Sequence, residues 1–281
     1  MRRAELAAAV AFGLLCLPPA PLAQQAPPQL DDARIEEFLR TARVVGVRSA
    51  GKGITGSSRA TMRLGELVHD VHVQTVDVSQ REFRSAQGIE FNFRDKWQFN
   101  VAAYKIDRLL GLRLVPVTVE RKWRYDPASF TWWVDEVLAD EGERVKKKLT
   151  APNEECWNQQ RQLVRIFDQL IDNIDRNPGN LLITKAWQVF AIDHTRAFRR
   201  SKTPTKPENL TRMDRRVLER LAALDFATLK REVGRYIEDA DIRVLLSRRD
   251  AIVAHFKAAG ETALFDRRQP ATGCLAPASV N

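Results

Sequence analysis

The sequence predicts an α+β protein with two lobes, the first rich in strands and the second rich in helices. Apolar residues alternate with polar ones along much of the first half, which is typical of strands. From Trp157 onward they recur every three to four residues, which is typical of helices. With 281 residues, the chain is long enough for two lobes that share a cleft. Its composition, 44% hydrophobic and 29% charged, is that of a soluble globular protein.

Residues 1–23 have the pattern of a secretory signal peptide. A basic start precedes an apolar run from Leu6 to Leu17, and residues 18–25 are rich in proline and small side chains. The run spans about 12 residues, whereas a membrane-spanning helix needs about 20. We therefore expect cleavage after Ala23, an exported protein that is periplasmic or secreted, and no transmembrane anchor in the mature chain.

The net charge of the chain favours particular partners, and its cysteines allow one disulfide in the mature protein. A net charge of +9 and a pI of about 9.7 favour acidic partners such as nucleotide phosphates. The positive charges are spread along the chain, and export argues against a nucleic-acid partner. After the signal peptide only Cys156 and Cys274 remain, and they could form a disulfide or stay as small apolar side chains.

The first lobe is predicted at residues 32–138, after a linker at residues 24–31. Apolar residues on one face predict its two helices, the first after a pair of aspartates and the second closed by Gly111. In chain order, the pattern predicts a helix at 32–41, a strand at 44–47, a hairpin of 61–64 with 68–76, an irregular connection at 88–96, a helix at 99–110, and strands at 114–121 and 129–137.

The second lobe is predicted at residues 139–265, followed by a flexible tail at residues 266–281. It opens on an exposed, charged connector at residues 140–150. In chain order, the pattern then predicts a helix at 157–171, a hairpin of 181–184 with 189–192, and helices at 211–224 and 239–259.

A loop and a hairpin of the second lobe carry the residues best suited to chemistry. Asp175 and Asn180 lie five residues apart in the loop, and the hairpin that follows returns to Asp193. Because the two ends of a hairpin lie side by side, Asn180 and Asp193 should face each other. An amide oxygen and a carboxylate suit a hard cation such as Mg²⁺. Asp175 could then orient or deprotonate an attacking hydroxyl, although aspartates in loops also serve as turn residues.

Two motifs in this region resemble those of a known group of enzymes. Residues 175–180 resemble the catalytic loop of kinases, and residues 192–198 resemble their metal-binding Asp motif. The combination is similar to phosphatidylinositol 3- and 4-kinases, HipA-like toxin kinases and the Golgi casein kinase group of the secretory pathway. The helix from Asn100 to the Leu-Leu-Gly at 109–111 also resembles their small lobe. The resemblance covers roughly residues 44–260 and implies a bacterial exported member with a two-lobed protein-kinase-like fold.

The resemblance assigns a role to individual residues. It implies ATP as cofactor with Mg²⁺ or Mn²⁺, Asp175 as the catalytic residue, and Asn180 and Asp193 as metal ligands. The nucleotide-binding residues that it implies are Gly51, Gly53 and Gly56 in a phosphate-covering loop, Gln74 and Asn100 in the first lobe, and Trp133 at the hinge. The glycines could also form an ordinary loop, and Trp133 could be a core residue of a strand.

Two departures from the pattern leave two functions open. Gln74 occupies the strand position that normally carries a lysine, and Asn100 occupies the position of its partner glutamate. An amide cannot neutralise phosphate charge, although Lys52 or Arg63 could supply a cation. The chain is therefore either an active phosphotransferase, with a protein or small-molecule hydroxyl as acceptor, or a pseudokinase that serves as a nucleotide-binding or protein-interaction scaffold.

Overall fold

A computed structural model describes residues 30–49, 57–85, 88–267 and Cys274. The compact unit begins at Asp31. The predicted signal peptide and most of the predicted linker lie outside the described residues, as do Gly51, Gly53, Gly56 and Lys52, so those expectations stay predictions. The boundaries predicted for the two lobes also stay predictions.

A five-stranded antiparallel sheet with the order β1-β2-β3-β7-β6 forms the first lobe. Its strands are β1 (Arg43–Ser49), β2 (Ser57–Leu64), β3 (Leu67–Gln74), β6 (Thr118–Trp123) and β7 (Asp126–Trp132). Alternation divides β3 between two faces, with Val71 and Val73 fully buried. The alternate side chains of β3, among which are His72 and Gln74, are turned to the other face.

Two helices cover this sheet. Helix α1 (Asp32–Thr41) starts at Asp31, whose carboxylate accepts the backbone N–H of Arg34, and it buries Phe38 and Leu39. Helix α2 (Gln98–Leu110) contacts β6, β7 and the second lobe. It ends as predicted at Gly111, which takes the left-handed conformation that favours glycine (φ 67°).

The prediction of an irregular connection at residues 88–96 was wrong. These residues form β5 (Gly88–Lys96), which pairs with β4 (Asp77–Ser85) in an antiparallel hairpin. Phe93 is buried and stacks on Phe83, with their ring centroids 4.2 Å apart. The predicted strand at 114–121 begins only at Thr118. The one predicted at 129–137 is two strands, because β7 ends at Trp132 and a separate strand starts at Val137.

The second lobe contains five helices among the described residues and a small sheet with the order β10-β9-β8. The helices are α3 (Glu141–Lys146), α4 (Glu154–Ile171), α5 (Arg215–Ala223), α6 (Phe226–Val233) and α7 (Asp239–Ala259). The strands are β8 (Val137–Asp140), β9 (Leu181–Thr184) and β10 (Val189–Ala191), together with the short parallel pair β11 (Met213–Asp214) and β12 (Leu264–Phe265). The predicted connector at 140–150 is thus partly helical, and α6 was not predicted.

A disulfide joins Cys156 and Cys274, whose pairing could not be decided from the sequence. Cys156 of α4 and Cys274 are bonded, with their Cα atoms 5.5 Å apart. Cys274 is buried, and its backbone N–H donates to the carbonyl of Ala186. The predicted flexible tail is therefore attached to the second lobe at this point. No helix in the described part of the chain is both long and apolar enough to cross a membrane.

Candidate active site

The β9–β10 hairpin places Asn180 next to the chain segment that leads to Asp193. The strands are antiparallel, with Leu181 opposite Ala191. One residue farther out, the N–H of Ile192 donates to the carbonyl of Asn180 over 3.0 Å. Asn180 closes a short 3₁₀ turn, and Asp193 immediately follows the last bonded residue. The hairpin therefore places the backbone of Asn180 beside Ile192, the residue immediately before Asp193.

Asp193 has an unusual backbone conformation. Its φ of 56° lies in the left-handed region, which is uncommon for a residue with a side chain. The side chain is exposed, and its carboxylate accepts the hydroxyl hydrogen of Thr195 over 3.1 Å. Strained residues of this kind often occur at functional sites, where surrounding contacts hold them in place.

Arg176 holds the loop and the hairpin in register. Its guanidinium forms an ion pair with Asp168 of α4 (2.9 Å) and donates to the carbonyls of Asn180 (3.2 Å) and Ile192 (2.7 Å). It also lies 2.9 Å from Nε2 of His194, which must act as acceptor because a guanidinium can only donate. Burial, and the charge of Arg176, lower the pKa of His194 well below its usual value, so this imidazole is neutral.

Asp175, the expected catalytic residue, is half-buried at the start of the loop. One of its carboxylate oxygens lies 3.2 Å from Nη1 of Arg196, and the other accepts from the side-chain amide of Asn177 over 3.1 Å. Arg196 itself comes three residues after Asp193. The loop at residues 175–180 and the segment at residues 192–198 are thus joined by an ion pair as well as by a backbone hydrogen bond.

Asp95 of β5 is a third carboxylate at this site, and the sequence analysis missed it. Burial raises its pKa, and the charges of Asp193 and Asp175 raise it further, whereas Thr195 and Arg196 lower it. Its Oδ1 atom is buried without a hydrogen-bond partner among the described residues. The alternation of Ile89, Phe91 and Phe93 could have identified β5, but not its position against Thr195.

Gln74 and Asn100, which occupy the positions of the lysine and its partner glutamate, have separate hydrogen-bond partners. The Gln74 side-chain oxygen accepts the N–H groups of Thr75 (3.0 Å) and Val76 (3.2 Å). Asn100 instead accepts the backbone N–H of His194 (2.8 Å) and donates to the Ser129 hydroxyl (3.3 Å). In the described part of the chain, no hydrogen bond joins the two amides. Asn100 therefore connects α2 directly to His194, the residue after Asp193.

His72 is the β3 side chain with an electrostatic link to Asp193. Burial lowers the pKa of His72, and the charge of Asp193 partly opposes this shift. Its Nε2 atom lies 2.6 Å from the Ser57 hydroxyl. Arg63, one of the two cations suggested as a substitute for the missing lysine, is paired with Val68 near the far end of β2, whereas Ser57 pairs with Gln74. Six residues of strand separate these pairs by about 20 Å, which excludes Arg63 from this role.

Trp133 lies just after β7, where the first lobe continues into the second. Its backbone N–H donates to the carbonyl of Asp70 over 3.2 Å. The guanidinium of Arg59 lies 3.9 Å from the centre of its ring, a distance at which a cation–π interaction is favourable. The indole is half-buried rather than a core residue, and Arg59, which contacts it, lies opposite His72 in the sheet.

The donor atoms of the site fit a hard cation bound beside a phosphate. In the described residues, no group of three or more His, Cys, Asp and Glu side chains forms a metal site by itself. The amide of Asn180 and the carboxylate of Asp193 are oxygen donors, and Mg²⁺ commonly takes one or two protein ligands with phosphate and water in the other positions. These two residues could hold such an ion together with a nucleotide.

Comparisons with known proteins show the fold. No protein-family model matches the chain, and no curated protein matches it significantly. The structure is similar to that of hydra Fam20 with sugar, with a TM-score of 0.60 and 15% identity over 84% of this chain and 93% of that one.

It is also similar to the Golgi casein kinase. With Mn/ADP bound, the TM-score is 0.56 at 14% identity, covering 84% of this chain and 80% of that one. Another Golgi casein kinase structure gives a TM-score of 0.53 at 14% identity, covering 81% and 75%. At such identities the likeness concerns the fold: this chain has the two-lobed, kinase-like fold of these atypical kinases, as predicted from its motifs.

Proposed function

We propose that this protein is an exported atypical kinase that uses ATP and Mg²⁺ or Mn²⁺ to phosphorylate a hydroxyl of a protein or small molecule. The observation that carries the proposal is the hairpin that places Asn180 beside the segment leading to Asp193. Asp175 is near them, because the charges of Asp175 and Asp193 both raise the pKa of Asp95. The fold supports it, since the similar solved structures include a kinase with Mn/ADP bound.

Each residue of the site has a chemical task in this proposal. Asn180 and Asp193 would hold the metal ion, which when bound neutralises charge on the phosphate oxygens. Asp175 accepts the proton of the acceptor hydroxyl, whose oxygen takes the terminal phosphoryl group of ATP while ADP leaves. Arg196 orients the Asp175 carboxylate through their ion pair, and Arg176 fixes the backbone on which Asn180 and Asp193 are carried.

The second candidate is a pseudokinase, and the conformation of Gln74 favours it. In this structure its side-chain oxygen is bonded to the chain's own backbone, and no lysine of β3 faces Asp193. Without that cation, the charge that develops during phosphoryl transfer would be stabilised less, and this stabilisation is often the largest contribution to catalysis. Binding of nucleotide alone requires less from the site.

Export is supported by two independent features. One is the basic start, apolar run and proline-rich break of residues 1–23. The other is the disulfide between Cys156 and Cys274, because disulfides persist mainly in oxidising compartments outside the cytoplasm.

Nucleotide binding and turnover, measured separately, test the proposal. We expect ATP with Mg²⁺ or Mn²⁺ to raise the melting temperature of the wild type, and Asp193→Ala to abolish this shift. Asp175→Asn should keep the shift but lose phosphate transfer from labelled ATP. Asp250→Ala, which removes an exposed carboxylate of α7, is the control and should behave as wild type. Equal shifts in wild type and Asp193→Ala would reject the metal site.

Restoring the charged pair separates the two candidates. In a weakened kinase, Gln74→Lys combined with Asn100→Glu should raise turnover more than either change alone. A glutamate at position 100 can still accept the His194 N–H, so the link to the metal-binding motif is kept. Nucleotide binding that needs Asp193, with no turnover in any variant, would favour the pseudokinase.

A further inference from the structure

A cavity of about 280 Å³ lies in the second lobe, between α4, the β9–β10 hairpin and the loop before Asn180. Its size is close to the lower end of known small-molecule sites, about 300–1,000 Å³. The apolar side chains on its walls are Trp157, Val164, Leu181, Ile183 and Val189. Asp175, Asn180 and Asp193 do not line it, so it is distinct from the candidate active site.

Three cations on the cavity lining have no carboxylate partner. Arg161 and Arg165 lie one turn apart on α4, and Lys206 lies in the segment between β10 and β11. None of the three is within ion-pair distance of a carboxylate in the part of the chain that the structure describes. The two arginines are half-buried, whereas Lys206 is exposed.

The carboxylates of the lining, by contrast, are already engaged. Glu141 pairs with Arg144 (2.6 Å), and Asp168 pairs with Arg176 (2.9 Å). Asp172 accepts from the Thr205 hydroxyl (2.8 Å) and lies 3.8 Å from the guanidinium of Arg248. The unbalanced charge at the cavity is therefore positive.

The two arginines repel each other at this site. Burial lowers the pKa of Arg161, and the neighbouring charge of Arg165 lowers it further, while Glu141 acts in the opposite sense. An anion placed between the two guanidinium groups would remove this repulsion. Guanidinium groups bind carboxylates and phosphates through paired hydrogen bonds, so two of them can hold one such group firmly.

We propose that this cavity binds a small organic anion. Its phosphate or carboxylate group would lie between Arg161 and Arg165, with Lys206 at the rim, and its apolar portion would contact Trp157 and the β9–β10 hairpin. The inference does not depend on the kinase proposal, because none of its residues is a predicted ligand of nucleotide or metal.

Titration calorimetry with four probes that share a benzene ring tests this inference. Phenyl phosphate and benzoate carry the two anionic groups, phenol is uncharged and benzylamine is cationic. We expect at least one anion to bind, phenol to bind at least about tenfold more weakly, and benzylamine not to bind. The anion with the higher affinity, phenyl phosphate or benzoate, shows whether the cavity prefers a phosphate or a carboxylate group.

Variants then locate the binding. Arg161→Gln with Arg165→Gln should weaken the anion by at least about tenfold, and Lys206→Gln, at an exposed position, should weaken it less. Arg216→Gln removes an exposed arginine of α5 away from the cavity and should have no effect. Asp193→Ala should also have no effect, which separates this cavity from the nucleotide site.

Several results would overturn the inference. The first is the absence of binding by both anions at about 10 mM, a concentration at which even weak binding is detected. The second is equal binding of phenol and the anions. The third is unchanged anion affinity in the double arginine variant. Circular dichroism shows whether that variant folds. If it does not, the single variants Arg161→Gln and Arg165→Gln decide, because unchanged affinity in both would overturn the inference.

Discussion

Arg176 joins three parts of the candidate active site through a single side chain. It pairs with Asp168 in α4 and donates to carbonyls on both sides of the hairpin, at Asn180 and Ile192. Only 12% of the Arg176 side chain and 9% of the Asp168 side chain are exposed, so solvent screens the pair weakly. The relative position of Asn180 and Ile192 therefore depends on a buried charge network.

Replacing Arg176 by glutamine should destabilise the protein strongly. The change leaves the Asp168 carboxylate buried without its cation, which typically costs about 3–5 kcal/mol. Urea unfolding of Arg176→Gln measures the loss. Adding Asp168→Asn removes the unpaired charge, and part of the stability should return. Arg34→Gln is the matched control, since its ion pair with Glu37 is exposed and should contribute less than about 1 kcal/mol. Losses of equal size in the two arginine variants would contradict the argument.

His194 should make the protein less stable in mild acid. Because its pKa in the folded state is far below 6.5, the unfolded chain takes up a proton first as the pH falls below about 6.5. Each such histidine can reduce the free energy of unfolding by up to about 1.4 kcal/mol per pH unit. His72 shifts in the same direction and adds to the effect.

The variant His194→Gln isolates this contribution, because a glutamine amide oxygen can still accept from Arg176. Between pH 7 and about pH 5.5, its free energy of unfolding should fall less steeply than that of the wild type. Denaturant unfolding at several pH values gives both slopes. Identical slopes would show that His194 becomes protonated without unfolding.

At the scale of elements, the β4–β5 hairpin is attached to the second lobe mainly through charged side chains. Arg94 donates to the Asp241 carboxylate over 2.9 Å and to the carbonyl of Phe198. Asp241 lies at the start of α7, with only 1% of its side chain exposed. Glu90 pairs in addition with Arg196 (2.7 Å) and Arg199 (3.0 Å), which follow Asp193 in the chain.

Arg94→Gln should therefore weaken the connection between the hairpin and α7. Loss of a hydrogen bond to a buried charge costs about 1.5–3 kcal/mol, partly offset here because Arg200 also binds Asp241. The control on the same hairpin is Arg84→Gln, whose ion pair with Glu82 is exposed and should matter by less than about 1 kcal/mol. Thermal unfolding compares the two, and a larger effect of Arg84→Gln would refute this attachment.

The elements that could be predicted from the sequence are those that present a regular series of apolar residues to the core. Helices α2 and α7 present repeated apolar residues to the core, so their spacing identified them. Helix α3 buries no side chain, so it lacks the apolar spacing by which α2 and α7 were identified. Strand β5 was missed although Ile89, Phe91 and Phe93 alternate along it, because its partner is β4, and that pairing was not predicted.

Within the candidate site, the contacts that could be predicted are those between residues close in the sequence. Asn180 and Asp193 are joined by a local hairpin, so their proximity could be read from the sequence. Asp95 reaches the site because the N–H of Lys96 donates to the carbonyl of Thr195, far away in the chain, over 2.8 Å. The conformation of Gln74 depends on how β3 ends, since the N–H groups of Thr75 and Val76 need an acceptor there.

For the whole molecule, the disulfide is the covalent constraint with the widest reach. It closes a loop between residues 118 positions apart, which contains α4 after Cys156, the candidate catalytic loop and helices α5 to α7. Disulfides typically stabilise a protein by about 2–4 kcal/mol, chiefly by restricting the unfolded chain. Gln160 also donates to the sulfur of Cys274 over 2.7 Å, so the bond lies within a packed environment.

Loss of this disulfide should lower stability without removing the candidate active site. Cys274→Ser should reduce the free energy of unfolding by about 2–4 kcal/mol and become insensitive to reductant, whereas reductant should destabilise the wild type by a similar amount. Metal-dependent nucleotide binding should persist in the variant at low temperature, because neither cysteine contacts Asn180 or Asp193. Urea unfolding with and without dithiothreitol provides the measurement. A wild type that is equally stable in both conditions would show that the bond does not contribute, and would remove one of the two supports for export.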